Sequence, residues 1–154
     1  MKKSEDKHIL KSHNKSLLLY HIVCPVGYRK KVFTDIMSES LRLICLEISQ
    51  RYEIHFVEIG IDEDHVHFMI QSVLTLSVKQ IVQTVESITA RQLFSMHPLV
   101  RKELWGGKFW TSGYYVNTVG QYAGADTIQN YVKQQGKKYN QLYSSQLTLF
   151  EGIS

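Results

Sequence analysis

Two histidines stand two residues apart in the stretch "DEDHVHFMIQ", residues 62 to 71. In an extended strand, residues i and i+2 point to one side, about 6.6 Å apart. His65, His67 and Met69 then share one face, and Val66, Phe68 and Ile70 the other. The second set is wholly apolar and suits a buried underside, which leaves both imidazoles on the open face of a sheet. Two neutral imidazoles at that spacing can converge on one divalent cation. With seven histidines in 154 residues, such a pair also arises by chance, and two nitrogens are an incomplete ligand set. Neither Cys24 nor Cys45 belongs to a Cys-x-x-Cys pair, so a structural zinc site is not indicated.

A second chemistry-bearing pair lies in "ADTIQNYVKQQGKKY", where Tyr131 and Gln135 fall at i and i+4, one helical turn apart on one face. A glutamine amide oxygen is an acceptable ligand for Mg2+ or Mn2+ and would complete a His-His-Gln set, with a tyrosine hydroxyl beside it. Taken alone, Tyr131 reads equally as an interfacial aromatic and Gln135 as a solvated polar residue. The combination with the histidine pair gives the chemical reading its weight.

The elements that must position these groups follow from periodicity. "KSLLLYHIVCPV" (15 to 26) is an apolar, β-branched strand stopped at Pro25. Thr34 N-caps a helix whose stripe is Ile36, Met37, Leu41, Ile44, Cys45 and Ile48. Strands at 53–61 and 65–71 are joined by the tight acidic "DED" turn. A second helix opens with a Ser77/Gln80 capping box, buries Val78, Ile81, Val82, Val85, Ile88 and Leu93, and ends before Pro98. A fourth strand covers 108–119, Gly120 and Gly124 bracket a link, and a last helix begins at Asp126. The order β-α-β-β-α-β-α predicts an α+β fold, a ferredoxin-like four-stranded antiparallel sheet with two helices on one face and a C-terminal helix added. We expect one domain: a leader at 1–14, a body at 15–119, the last helix at 126–139 and a tail at 140–154.

Composition agrees. An apolar fraction of 44% and a charged fraction of 21% describe a soluble globular chain, and no apolar run approaches the ~20 residues that cross a bilayer. Two cysteines in unlike contexts suit buried thiols in a cytoplasmic protein. The net charge of +4 leans towards a polyanionic partner.

His65-Val66-His67 followed by Tyr131 and Gln135 resembles the single-tyrosine HUH transposases of the insertion-sequence 200/605 class. The similarity covers nearly the whole chain: "YHIVCPVGYRKKVF", "DHVHFMIQ", "LWGGKFWTSGYYVNTVG" and "YVKQQGKKY" all look like that family's segments. One departure is Glu86, where the resemblance leads us to expect lysine. It argues against DNA contact by that helix face.

The resemblance implies a bacterial or archaeal enzyme that cleaves and rejoins single-stranded DNA at element ends, which carry a hairpin. His65, His67 and Gln135 would hold Mg2+ or Mn2+, and Tyr131 would form a 5′-phosphotyrosine, keeping the phosphodiester's energy for rejoining. It also implies a homodimer in which one subunit's helix can complete the other's site. The sequence names no general base for Tyr131. Arg29, Lys30 and Lys31, with Lys133, Lys137 and Lys138, are the candidates for phosphate contact. Tyr28, Phe109 and Trp110 are candidates for base stacking, with core packing the competing fate of the last two. The tail residues Gln146, Leu147, Leu149 and Phe150 are similar to the peptide by which bacterial proteins dock on the replicative sliding clamp, or else cover an apolar surface of the protein's own dimer. Alternative readings are a domesticated relative that processes chromosomal hairpin repeats, and a non-catalytic module binding single strands on its open sheet face.

Overall fold

The computed structural model describes residues 17–121. Strands β1 (Leu17–Pro25), β2 (Ile54–Ile61), β3 (His65–Val73) and β4 (Tyr115–Gln121) form one antiparallel sheet in the order β2-β3-β1-β4. Helices α1 (Asp35–Arg51) and α2 (Val78–Met96) cover one face, and a short α3 (Pro98–Glu103) follows. This is the expected α+β, ferredoxin-like arrangement. No helix among the described residues is long and apolar enough to cross a membrane.

The helices start where side chains satisfy their first amides. Thr34 Oγ1 accepts from the Met37 N–H at 3.3 Å. Ser77 and Gln80 form the reciprocal box, with bonds of 3.0 and 2.8 Å. α1 buries Met37, Leu41, Ile44, Cys45 and Ile48, and α2 buries Ile81, Val82, Val85 and Leu93. Both stripes pack on the sheet's underside, where Ile22, Cys24, Phe56, Ile59, Val66, Phe68 and Ile70 are all buried. Each such side chain contributes about 1.5–3 kcal/mol of burial, so the alternation Val66/Phe68/Ile70 fixes which way the histidines between them face.

Four expectations change. Ile36 stands in the first turn of α1 on its solvent side and is 71% exposed, so it is not part of the buried stripe. Pro98 does follow the end of α2, but it also occupies the first turn of α3, where a missing N–H leaves nothing unsatisfied. The fourth strand begins at Tyr115 rather than at 108: Phe109 and Trp110 turn into the core, Trp110 making only an isolated bridge to Val26. Finally, the face carrying the imidazoles is not open throughout. Leu19, His21, Glu58 and Met69 share it by cross-strand register and form a buried patch, while His65 and His67 at one end of β3 are half-exposed.

Candidate metal centre

The β2–β3 turn sets the site. The Asp62 N–H donates to the His65 carbonyl at 2.9 Å, which closes a tight hairpin and swings the Asp62 carboxylate back over β3. One ligand atom each from Asp62, His65 and His67 lies within 4.8 Å of the other two. His65 Nε2 is 2.9 Å and His67 Nε2 3.9 Å from Asp62 Oδ2. Gly60 sits opposite His67 in the β2–β3 register, so no side chain fills the space on that side. A cavity of about 370 Å³ opens here, lined by Lys31, Asp62, Glu63, Asp64, His65 and His67.

Each imidazole offers Nε2 to the carboxylate and has its other nitrogen engaged elsewhere. His65 Nδ1 lies 2.8 Å from Asp64 Oδ1, and the Arg29 guanidinium in turn reaches Asp64 Oδ2 at 3.3 Å. His67 Nδ1 lies 2.9 Å from His21 Nε2, with the two rings stacked 5.1 Å apart at 14°. An Nδ1–H donated to a second partner leaves the Nε2 lone pair for a cation, the arrangement that fixes tautomer and ring orientation in histidine metal sites. Electrostatics point the same way. Burial, and then the neighbouring His65, push His67 below its ordinary value against the pull of Asp62. Burial and His67 push His21 down to about 4. The bond from His65 and the Arg29 charge hold Asp64 low. At neutral pH His21 and His67 are therefore neutral, the form that binds metal.

His65 and His67 thus come together as the i,i+2 spacing predicts. Tyr131, Gln135, Lys133, Lys137, Lys138 and the tail residues Gln146, Leu147, Leu149 and Phe150 lie outside the described residues, as do the leader and the last helix. Arg29 and Lys31 are exposed but pair with the turn acids, Lys31 reaching Glu63 at 3.9 Å. Of the stacking candidates, Tyr28 is 67% exposed, while Phe109 and Trp110 are core residues, Trp110 donating its indole N–H to Thr89 at 2.9 Å. Glu86 lies half-buried beside Cys24 and Lys108, beneath the sheet and away from the imidazoles. Three participants escaped sequence reasoning: Asp62, Asp64 and His21. The first two were legible as acids three and one residues before His65. His21 is tied to His67 only by strand register.

A family model described as "Transposase IS200 like" matches residues 14–135. The ISDra2 transposase TnpA of Deinococcus radiodurans is 27% identical over 121 residues, spanning 79% of this chain and 86% of that protein. The transposase of insertion element IS200 from Salmonella typhimurium is 24% identical over 124 residues, 80% of each chain. A crystallised candidate transposase from D. radiodurans superposes with a TM-score of 0.63 at 27% identity, covering 77% of this chain and 91% of its own. A REP-associated tyrosine transposase solved with a REP hairpin has a TM-score of 0.50 at 10% identity, covering 77% and 63% respectively, a likeness of fold alone.

Proposed function

This chain belongs to the IS200-like transposase family, and from that premise we propose that it cuts and rejoins single-stranded DNA through a covalent ester on Tyr131. The observation that carries the reading is the convergence of Asp62, His65 and His67, each imidazole oriented by a partner of its own. Two imidazole nitrogens and one carboxylate oxygen within 4.8 Å of one another fit a divalent cation of the Mg2+ or Mn2+ kind, and leave coordination positions for Gln135 and a phosphate. Bound there, the cation would polarise the scissile phosphate and offset its charge.

The chain's own groups do the rest. Exposed Arg29 and half-buried Lys30, together with Lys133 and Lys137, neutralise flanking phosphates. The Tyr131 phenol, whose ordinary pKa is about 10, gives up its proton, and its oxygen bonds to phosphorus. The P–O3′ bond breaks with its electron pair staying on O3′, which takes up a proton. A 5′-phosphotyrosine and a free 3′-hydroxyl result, and a new 3′-hydroxyl reverses the step. One nucleophile per chain suits a homodimer cutting two ends, each paired as a hairpin, with the helix of one subunit serving either site. The tail from Gln146 to Phe150 would dock such a dimer on a sliding clamp, and a clamp pull-down that Leu149→Ala/Phe150→Ala leaves unchanged would end that part.

The test is direct. Protein incubated with single-stranded element-end DNA and Mn2+ should give a denaturant-resistant adduct that is absent in Tyr131→Phe. An adduct that persists in that variant would sink the assignment.

A further inference from the structure

Three bulky residues adopt the left-handed backbone that favours glycine: Tyr28 (φ 56°), Arg29 (φ 51°) and Trp105 (φ 55°). Outliers of this kind in non-glycine residues point to use rather than to packing. Tyr28 and Trp105 are also 67% and 70% exposed, so neither ring serves the core. A glycine would fit both backbones more easily and nothing inside the protein would miss the rings.

The two residues belong to different loops and yet meet. Their ring centroids are 5.0 Å apart at 71°, and Lys30 Nζ stands 5.0 Å from the Trp105 ring. Both loops are firmly seated. The Gly27 N–H donates to the Phe109 carbonyl at 2.7 Å, and a Cβ at Gly27 would lie 2.7 Å from the Lys108 carbonyl oxygen. Fully buried Leu104 anchors the other loop, whose Trp105 and Gly106 amides donate back into α3. Tyr28 also walls a cleft of about 320 Å³ that includes Lys108, Thr111 and Ser112. The next residue, Arg29, bonds Asp64, which bonds His65. The aromatic corner is therefore one residue removed from the groups that orient the metal centre.

We propose that Tyr28 and Trp105, with Lys30, form a preformed seat for an unpaired nucleobase of the same single strand whose phosphate lies at Asp62, His65 and His67. Perpendicular rings make a corner in which a base stacks on one ring and turns its edge to the other. Lys30 sits where the phosphate of that nucleotide needs a cation. A duplex, with its bases stacked internally, offers nothing to the corner. This inference rests on the single-stranded-DNA reading above, but not on the Tyr131 chemistry.

The probe is fluorescein-labelled oligothymidylate, which does not pair with itself, followed by anisotropy, with a blunt duplex of equal length beside it. Trp105→Ala should weaken oligothymidylate binding about 10-fold and Tyr28→Ala/Trp105→Ala about 100-fold, while Trp105→Phe stays within about threefold. Duplex binding, Mn2+ affinity and melting temperature should hold in all three. Because Trp110 is buried, the tryptophan emission quenched by the oligonucleotide should be that of Trp105 and should be lost in Trp105→Phe. Unchanged oligothymidylate affinity in the double variant overturns the proposal. So does an equal loss on duplex, which would mean charge alone, or a loss that follows Mn2+ affinity or melting temperature, which would mean a structural role. Wild-type protein that ignores single strands overturns it as well. Protein that binds them by way of these rings yet forms no Tyr131 adduct leaves the seat standing and removes the transposition chemistry.

Discussion

Carboxylates sit on both sides of the same two strands, with opposite outcomes. On one side Asp62 and Asp64 bracket His65, and His67 leans on His21, so that the acids and rings complete one another. On the other side Glu86 projects from α2 towards Cys24 and Lys108, and its Oε2 is buried without a hydrogen-bond partner. It borders a cavity of about 460 Å³ walled largely by Ala90, Phe94, Phe109 and Trp110. Burial raises the Glu86 carboxyl above its ordinary range and raises the Cys24 thiol beside it. The difference lies in the neighbours: an acid beside imidazoles in a half-open corner builds a cation site, and an acid against an apolar wall favours its neutral form.

The largest test of this contrast is metal affinity. His67→Ala should weaken Mn2+ binding, read by calorimetry, by more than about 100-fold, and Asp62→Asn by about 10- to 100-fold. Glu86→Gln should leave it unchanged. A Glu86→Gln loss equal to that of Asp62→Asn would erase the distinction between the two sides.

His21 sharpens the contrast at one remove. His21→Phe keeps a flat ring stacked on His67 but removes the nitrogen that shares a hydrogen bond with its Nδ1. Mn2+ affinity should fall about 10-fold or more with little change in melting temperature, and His21→Gln, whose amide can restore that hydrogen bond, should recover most of it. Equal affinities in His21→Phe and wild type would show that the ring pair only packs.

What the sequence revealed and what it hid follow from the range of the forces involved. The sheet and its two helices are written in local alternation and 3.6-residue stripes, and the capping residues Thr34, Ser77 and Gln80 act within one turn of chain. His65 and His67 are likewise local, since strand geometry alone puts them on one side. His21 is 46 residues from its partner, and nothing near either position announces the register that joins them. Asp62 was visible as part of an acidic turn, but which of three acids folds inward depends on the hairpin's closing bond. Phe109 and Trp110 look strand-like by composition, yet tertiary packing turns both into the core and delays the strand to Tyr115. Pro98 was legible as a stop and illegible as a start, because the same residue serves both ends of a helix pair.

A fourth acid separates burial from function. Glu58, on the imidazole face of the sheet, is buried with its Oε1 accepting from the Ile59 amide at 3.1 Å, and burial pushes its carboxyl up to about 8. A raised carboxyl favours the proton-bound native state. Its contribution is fully present below the unfolded value near 4.5 and is lost as pH rises through about 8. His21, pushed down to about 4, acts in the other direction, its contribution being lost as pH falls below 6.5. Between pH 6.5 and 8 Glu58 is thus free of that opposing slope. Stability from urea unfolding should decline across this window in the wild type and decline less in Glu58→Gln. Parallel profiles would mean that the carboxyl is ionised in the native protein throughout.

The smallest expected effect concerns Glu86 itself. Its raised carboxyl likewise stabilises the native state at low pH and ceases to do so as pH climbs through the raised value, when a charge must be carried beside an apolar wall. Replacing it with leucine removes a buried oxygen that has no partner and adds apolar contact towards Phe94 and Trp110. Unfolding in urea at pH 8 should show a gain of about 1 kcal/mol, shrinking as pH falls and the wild-type carboxyl takes up its proton. A loss at pH 8 would mean that Lys108 holds the ionised carboxylate in a working ion pair. The two sides of the sheet would then differ only in which cation each acid meets, a metal at one and an ammonium at the other.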